Sequence, residues 1–237
     1  MHKLIHYCKT YLGLSLNKNQ IEAFILYQKE LLAWNQKFNL TSITTLEGIE
    51  TNHFIDSVSC AQVLPPADNQ KIIDIGCGAG FPGIPIKILL PKVKLTLVDS
   101  VQKKTVFCEH ILNILSLDNV IVVTSRAEEL GQNSLFREQF DNAIARAVAP
   151  LPILVEYLLP LVKVGGFAIA QKSRDVEHEI QDATPAINEL GGEVIETREI
   201  NIPDSIVERY LVLIKKISPT IKKYPRRPGI PAKRPIS

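Results

Sequence analysis

The chain has 237 residues, of which 46% are apolar, and its formal net charge at pH 7 is +2. A chain of this length can bury one large α/β core, but two full-sized domains would be cramped. It contains no run of about 20 apolar residues, so we expect no membrane-spanning helix. The four cysteines are scattered without a CxxC pair. This pattern argues against a disulfide framework or a metal site and favours reduced, buried thiols in a cytoplasmic protein.

Two helical segments precede the first predicted strand. Residues 17–38 carry apolar side chains at helical spacing, and a second stretch that contains His53 and Asp56 ends at the pair Pro65-Pro66. His53 and Asp56 are about one helical turn apart, and we expect a structural hydrogen bond there. We therefore predict a helical cap at residues 1–66, followed by a core at 67–217 and a basic, proline-rich tail at 218–237.

From residue 71 onward, short β-branched runs alternate with helical segments, which predicts βαβ units and a parallel sheet. Two more strands follow at 193–200 and 210–216, and the nine residues 201–209 between them show no helical pattern. A parallel crossover needs about a dozen residues, so this last pair should be antiparallel. The result is a seven-stranded, mostly parallel sheet with an antiparallel last strand. We predict earlier strands at 71–75, 94–99, 120–124, 141–145 and 167–171, and helices at 103–115, 151–162 and 176–190.

A glycine-rich turn follows the first predicted strand, at residues 76–83. Glycines allow a positive φ and a close approach to a ligand, and the next helix offers free N–H groups. The spacing Gly78-x-Gly80-x-x-Gly83, with Asp99 about 20 residues on, fits a dinucleotide site. The alternative frame, Asp74-x-Gly76-x-Gly78-x-Gly80, is typical of S-adenosylmethionine (SAM) methyltransferases. A turn without a ligand is the third interpretation.

The antiparallel ending favours the SAM frame, because a dinucleotide fold would repeat a second mononucleotide half. In this frame Asp74 helps to hold the ammonium group of the methionine moiety, and Asp99 accepts hydrogen bonds from the ribose hydroxyls. Asp99 could instead cap the next helix. We therefore predict a Rossmann-like class I SAM-dependent methyltransferase fold with an N-terminal helical cap.

Polar residues stand at the ends of several strands, and ligands of open α/β sheets bind at this edge. Glu128, after Ala127, could accept from an adenine amino group or could be a surface charge. Arg146 could bind a phosphate or a guanine edge, or pair with a nearby acid. Phe81 could cover the ligand or pack its helix onto the sheet. The candidate ligand residues in the turn and at the strand ends are Asp74, Gly76, Gly78, Gly80, Phe81, Asp99, Ser100, Ala127, Glu128, Arg146 and Lys172.

Two motifs of other methyltransferases are missing from this sequence. It has no Asn/Asp-Pro-Pro-Tyr run for an exocyclic amine and no Pro-Cys nucleophile for a pyrimidine. A target that is nucleophilic without help remains, and guanine N7 fits because its in-plane lone pair carries no proton. Methyl transfer to it needs orientation and closeness rather than a general base. We therefore predict no catalytic acid or base and no metal, although Arg146 could orient the substrate.

The end of the chain is basic. From residue 215 onward there are eight basic residues and no acidic one, whereas the first 214 residues have an acidic excess. This asymmetry favours contact with a polyanion over a merely solvated terminus. We expect the tail to be disordered until it meets RNA phosphates. The predicted RNA-binding residues are Lys172, Arg226, Arg227, Lys233 and Arg234.

Taken with these residues, the chain resembles the RsmG (GidB) family of bacterial 16S rRNA guanine-N7 methyltransferases over most of its length. The most specific match is the continuation of the glycine turn by Phe-Pro-Gly-Ile-Pro, together with the basic proline-rich tail. The matching segments are residues 38–41, 53–57, 74–85, 97–100 with Lys103-Lys104, 126–128, 145–147 and 224–233.

The resemblance implies SAM as the methyl donor and a guanine in the 530 loop of 16S rRNA, in the small ribosomal subunit, as the acceptor. Carried over position by position, the family's cofactor contacts fall on Gly76, Phe81, Ala127, Glu128 and Arg146. One departure is Gln171-Lys172-Ser173, where relatives often have Lys followed by Gly, so the role of Lys172 is open. We expect a monomer. A nicotinamide-dependent oxidoreductase and a non-catalytic RNA-binding module are the alternatives.

Overall fold

A seven-stranded sheet forms the centre of the computed structural model, which describes residues 1–65, 67–173, 175–205 and 207–236. The strand order is β3-β2-β1-β4-β5-β7-β6. The first five strands run parallel, and β7 is antiparallel to both β5 and β6. The predicted fold class is therefore confirmed. The strands are β1 (Lys71–Ile75), β2 (Lys94–Asp99), β3 (Val120–Thr124), β4 (Phe140–Arg146), β5 (Val162–Lys172), β6 (Gly192–Ile200) and β7 (Arg209–Lys216).

Helices cover both faces of the sheet, and buried apolar runs in β1 and β2 account for their central position. The cap also contains a π-helical turn (Glu50–Ile55) and a 3₁₀ turn (Ser59–Gln62). Pro66, which we expected to end this region, lies outside the described residues. The helices are α1 (His2–Tyr11), α2 (Lys18–Phe38), α3 (Leu46–Ile49), α4 (Asp56–Val58), α5 (Gly83–Leu89), α6 (Gln102–Ile114), α7 (Ala127–Gln132), α8 (Leu151–Leu158), α9 (Val176–Glu189) and α10 (Ile230–Lys233).

One predicted boundary is wrong. The helix expected at 151–162 ends as α8 at Leu158, passes through a 3₁₀ turn at Leu159–Leu161, and is followed directly by β5. Pro160 lies in this turn and has no N–H for a regular helical hydrogen bond. As a result β5 begins at Val162, five residues before the predicted start, and Val162 pairs with Phe140 of β4.

The cap and the sheet share one hydrophobic cluster. Helix α2 starts with a capping box formed by Asn17 and Gln20. Farther along α2, the Tyr27 hydroxyl donates to the carbonyl oxygen of Ala79 in the glycine turn. The rings of Tyr27 and Phe81 stack with centroids 5.4 Å apart. The cap is thus packed directly onto the turn that follows β1.

The expectation of a disordered tail is wrong. The segment after β7 packs on α7 and on the loop that follows it, where polar side chains bind its main chain. Arg137 donates to the carbonyl oxygens of Thr220 and Tyr224 at 2.6 and 2.7 Å. The Gln132 amide donates to the carbonyl oxygen of Pro225 at 2.7 Å. These hydrogen bonds fix the main chain of the segment on α7 and on the loop that follows it. Among the described helices, none combines the length and the apolar character that a bilayer crossing requires.

Candidate active site

Two neighbouring clefts open at the carboxyl ends of the strands, where the strand order reverses between β1 and β4. The first cleft has a volume of about 290 Å³ and the second about 430 Å³. Ala147, in the loop after β4, lines both of them. The predicted residues that line the first cleft are Gly76, Asp99, Ser100, Ala127 and Glu128. Those that line the second are His53, Asp56, Arg146 and Lys172.

Within the glycine turn, Gly76 lines the first cleft, whereas Gly78, Gly80 and Phe81 line neither cleft. Gly76 has a φ of +70°, and a Cβ there would lie 2.5 Å from Cγ2 of Val148. Gly78 has a φ of +58°, and its N–H donates to Asp99 Oδ2 at 3.0 Å. Gly80 has a φ of +92° and packs against Ile84 and Tyr27 rather than facing the cleft. Glycine is therefore needed at 76 and 80 for conformation and for space.

Asp74 lies directly beneath this turn, fully buried at the end of β1. Its Oδ2 accepts a hydrogen bond from the Gly83 N–H at 2.7 Å, whereas Oδ1 has no partner among the described residues. Burial raises the pKa of this carboxyl to about 7, although the Gly83 hydrogen bond and the nearby Arg146 oppose the shift. A buried carboxylate oxygen without a partner is costly, so this position favours a cationic ligand group.

Asp99, at the end of β2, holds the turn from the other side. Its Oδ1 accepts from the Val101 N–H at 2.9 Å, and its Oδ2 accepts from Gly78. The Lys104 ammonium is 3.5 Å from Oδ2. A carboxylate has about four lone-pair sites, of which Val101, Gly78 and Lys104 use three, so Asp99 can accept from one hydroxyl group, and from a second only when Lys104 releases its long contact. Val101 is itself the N-cap residue of α6, and no side chain of the described residues caps that helix, so the helix-cap interpretation of Asp99 is wrong. Asp99 lines the cleft.

Glu128 begins α7 on the opposite wall, and only 5% of it is exposed. The interpretation as a solvated surface charge is therefore wrong. Its Oε1 accepts a hydrogen bond from the Gly229 N–H of the C-terminal segment at 3.0 Å. Tyr157 of α8 completes this side of the cleft.

Arg146 connects the sheet to the cap across the second cleft. Its guanidinium donates to the carbonyl oxygen of Asn52 at 3.0 Å, to Asp56 Oδ2 at 2.8 Å and to His53 Nδ1 at 3.1 Å. Asp56 is also 3.3 Å from Nε of Arg209, at the start of β7. His53 and Asp56 thus make structural hydrogen bonds as expected, each to Arg146. Arg146 lines the second cleft rather than the first.

His53 is neutral in this environment. Burial and the adjacent Arg146 charge lower its pKa to about 3. Since Nδ1 accepts from Arg146, the ring proton is on Nε2 and is donated to Thr41 Oγ1 at 2.7 Å. The ring stacks on Phe81 with centroids 4.4 Å apart. Phe81 is therefore buried between His53 and Tyr27, which is the packing role of the two that we considered.

The predicted RNA-binding residues differ in how free they are. Lys172 donates to Glu179 at 2.6 Å and to the carbonyl oxygen of Ala149 at 3.1 Å. Arg226 is bound to the buried carboxylate of Glu156 at 2.6 Å, so it does not offer a free charge. Of the predicted residues, those that are exposed are Arg227, Lys233 and Arg234, and the segment also carries the exposed Lys222 and Lys223.

Similarity to known proteins extends over almost the whole chain. A family model described as rRNA small subunit methyltransferase G matches residues 20–207. The curated ribosomal RNA small subunit methyltransferase G of Alkaliphilus metalliredigens (strain QYMF) is 48% identical over 225 residues, which cover 95% of this chain and 94% of that protein. The protein of the same name from Roseiflexus castenholzii is 51% identical and covers 94% and 95%. The chain belongs to the GidB family.

Solved structures that resemble this GidB-family chain are much more distant in sequence. The TYW2 protein of M. jannaschii in complex with AdoMet has a TM-score of 0.55 and 14% identity, over 74% of this chain and 80% of that one. The precorrin-6y C5,15-methyltransferase of Geobacter metallireducens has a TM-score of 0.51 and 15% identity, over 68% and 87%. At these identities the likeness establishes the shared fold alone.

Several residues that line the clefts of this GidB-family protein were not found by sequence reasoning. The sequence placed Arg209 in the connection before the last strand, Tyr157 in an apolar helix and Val148 in a loop, and it indicated no functional role for any of them. Lys104 followed the Asp99 motif and entered only through the family resemblance. None of them forms a local motif with the other site residues. Only Lys104, five residues after Asp99 at the start of a helix, carried a signal that could have been used.

Proposed function

We propose that this protein transfers a methyl group from SAM to N7 of a guanine in the 530 loop of 16S rRNA. The observation that carries the proposal is Asp74, a fully buried carboxylate with an unpartnered Oδ1 beneath the glycine turn. In its ionised form such an atom is stabilised by a cationic partner, and the methionine moiety of SAM carries an ammonium group. A nicotinamide dinucleotide would instead bring a pyrophosphate to the turn, which a carboxylate disfavours.

Residues that line the first cleft, together with Asp74 buried beneath its glycine turn, fit SAM in three parts. Asp74 would hold the ammonium group, and Asp99 would accept hydrogen bonds from the ribose hydroxyls. Glu128, together with the main chain at Ala127, would bind the adenine side. Gly76 and Ser100 line the cleft, and Gly76 brings main chain to it without a side chain.

SAM supplies an electrophilic methyl group on a sulfonium. Guanine N7 presents a lone pair without a proton, so the protein has to orient the base and exclude water. His53 is neutral and bound to Arg146 and Thr41, so it is not available as a base. The second cleft is lined by the cations Arg146, Lys172 and Arg209 and by the carboxylates Asp56 and Glu179 that pair with them, which leaves an excess of one positive charge for the entry of an RNA substrate.

The exposed residues Arg227, Lys233 and Arg234 would extend this positive surface to RNA phosphates. Arg226 is left out of this set because Glu156 already binds it. We further propose that the protein acts as a monomer in the cytoplasm, and light scattering of the purified protein would check its oligomeric state.

The test is transfer of a labelled methyl group from SAM to rRNA, followed by mapping of N7-methylguanine. Naked 16S rRNA, an assembly intermediate and the intact small subunit should be compared as substrates. Asp74→Asn should abolish transfer, whereas Asp68→Asn, which changes an exposed carboxylate, should not. Absence of transfer with all three substrates would favour the alternative that the protein is a non-catalytic RNA-binding module. Calorimetric binding of NAD instead of SAM would leave the oxidoreductase.

A further inference from the structure

The C-terminal segment lies against α7 and α8, the two helices that contribute Glu128 and Tyr157 to the first cleft. Pro225 packs at Gly131 of α7, where a Cβ would come within 2.5 Å of the proline ring. Arg137 and Gln132 bind the main chain of the same segment. The close packing of Pro225 on Gly131 and these hydrogen bonds together hold the segment at a fixed position on the core.

The ion pair between Arg226 and Glu156 ties the segment to a carboxylate of α8. Glu156 is 0% exposed, and its carboxylate accepts from Arg226 Nε at 3.0 Å and Nη2 at 2.6 Å. The main-chain N–H of Arg226 also donates to Glu156, at 2.7 Å. A carboxylate that binds both the guanidinium and the main chain fixes the residue in position and in orientation.

Three residues after Arg226, at Gly229, the segment contacts Glu128, which lines the first cleft. The Gly229 N–H donates to Glu128 Oε1 at 3.0 Å, and Gly229 adopts a φ of +82°. Among the described residues, none donates to the other oxygen, Oε2. One carboxylate oxygen is therefore held by the protein, and the second is left for a ligand.

We propose that Arg226 and Glu156 are positioning residues for the methyl-transfer site: their ion pair holds Gly229 on Glu128 and so orients the Glu128 carboxylate toward the adenine side of the cofactor. This inference rests on the proposed function. It assigns Arg226 to cofactor binding through Glu128 and not to RNA contact. Without the pair, residues 226–229 move and Glu128 loses its fixed hydrogen bond, so the affinity for the cofactor falls.

The test is calorimetric titration with S-adenosylhomocysteine of the full chain. Arg226→Ala should raise the Kd about three- to tenfold, the range that loss of one hydrogen bond implies. Arg226→Lys should give an intermediate value, because lysine keeps the charge but not the bidentate geometry. Lys222→Ala removes an exposed cation of the same segment that contacts neither Glu156 nor Glu128, and it should leave the Kd unchanged. The KM for SAM should rise with the Kd, whereas kcat at saturating SAM should stay constant.

A double-mutant cycle separates positioning from a general structural effect. If Arg226 acts through Glu128, adding Arg226→Ala to Glu128→Ala should produce no further rise in Kd. Additive effects, or an unchanged Kd in folded Arg226→Ala, would overturn the inference. Should Arg226→Ala fail to fold because Glu156 is left unpaired, the double variant Arg226→Met, Glu156→Met removes both charges and should show the same rise in Kd. If the unaltered protein itself does not bind S-adenosylhomocysteine, it is the proposed function that fails.

Discussion

Gly76 combines a left-handed backbone with a lack of space for any side chain. Gly76→Ala should lower the free energy of unfolding by about 1–2 kcal/mol for the positive φ alone, and by more because the new Cβ would meet Val148. It should also weaken binding of S-adenosylhomocysteine, since Gly76 lines the first cleft. Denaturant unfolding and calorimetry measure the two effects.

The matched control is Gly165→Ala. Gly165 has a φ of +88°, but a Cβ at this position would have no atom within 4 Å, and the residue lies away from the clefts. It should therefore show the backbone cost without any change in cofactor affinity. Equal stability losses in the two variants would show that Val148 gives way and that only the backbone conformation matters.

Asp74 should make cofactor binding depend on pH. The cationic ligand group requires the ionised carboxylate, and the pKa of Asp74 in the free protein is about 7. The affinity for S-adenosylhomocysteine should therefore rise about tenfold from pH 6 to pH 8, with a proton released on binding near pH 7. Calorimetry in two buffers of different ionisation enthalpy detects that proton.

The raised pKa of Asp74 also makes the free energy of unfolding depend on pH. The folded pKa of Asp74 lies above its ordinary value of 3.8, so the folded state binds more protons in this interval. Through this group, the free energy of unfolding of the ligand-free protein should fall as the pH rises from about 4 to about 7. Asp74→Asn should remove that dependence. An unchanged pH profile in the variant would mean that another group titrates.

At the scale of elements, the contact between β4 and the cap depends on Arg146. Arg146→Met should lower the free energy of unfolding by about 3–5 kcal/mol, because Asp56 would stay buried with one cation fewer. Asp56 is only 2% exposed. Urea unfolding measures the loss. Lys92→Met removes a cation from the exposed pair with Asp68 and should cost less than about 1 kcal/mol.

A double-mutant cycle tests whether this loss belongs to the pair. Arg146→Met combined with Asp56→Asn should be less destabilising than the sum of the two single changes. Strict additivity would indicate that Arg146 stabilises the fold by its contacts to Asn52 and Phe81 rather than by its charge.

At the scale of the whole molecule, the exposed cations of the C-terminal segment should govern RNA affinity. Replacing Arg227, Lys233 and Arg234 by Gln should weaken RNA binding and reduce the slope of log K against log salt by about 2–3. The affinity for S-adenosylhomocysteine should not change. Filter binding at several salt concentrations measures the slope.

The control removes three charges elsewhere. Lys71, Lys92 and Lys94 are exposed near the amino ends of β1 and β2, at the opposite edge of the sheet from the clefts. Their replacement by Gln should leave the salt slope unchanged. An equal loss in both triple variants would mean that net charge alone, and not the segment, attracts RNA.

Local pattern in the sequence was sufficient for the first three strands, for the antiparallel ending and for part of the first cleft. The predicted bounds of β1, β2 and β3 agree with the structure, because each is a short β-branched run with clear turns on both sides. The antiparallel ending followed from a connection too short for a crossover. Asp99 and Glu128 were found because the carboxyl ends of parallel strands meet at one edge.

Only the tertiary structure decided what the cationic side chains bind. Arg146 meets Asp56 across 90 residues of chain, and Arg226 meets Glu156 across 70. Neither sequence separation corresponds to a helical or strand period or to a known motif, so pattern in the sequence could not pair these residues. A basic run looks the same whether its charges are solvated or paired with buried carboxylates, so the ordered C-terminal segment could not be foreseen. Its order depends on burial, which exists only once α7, α8 and the segment are packed together.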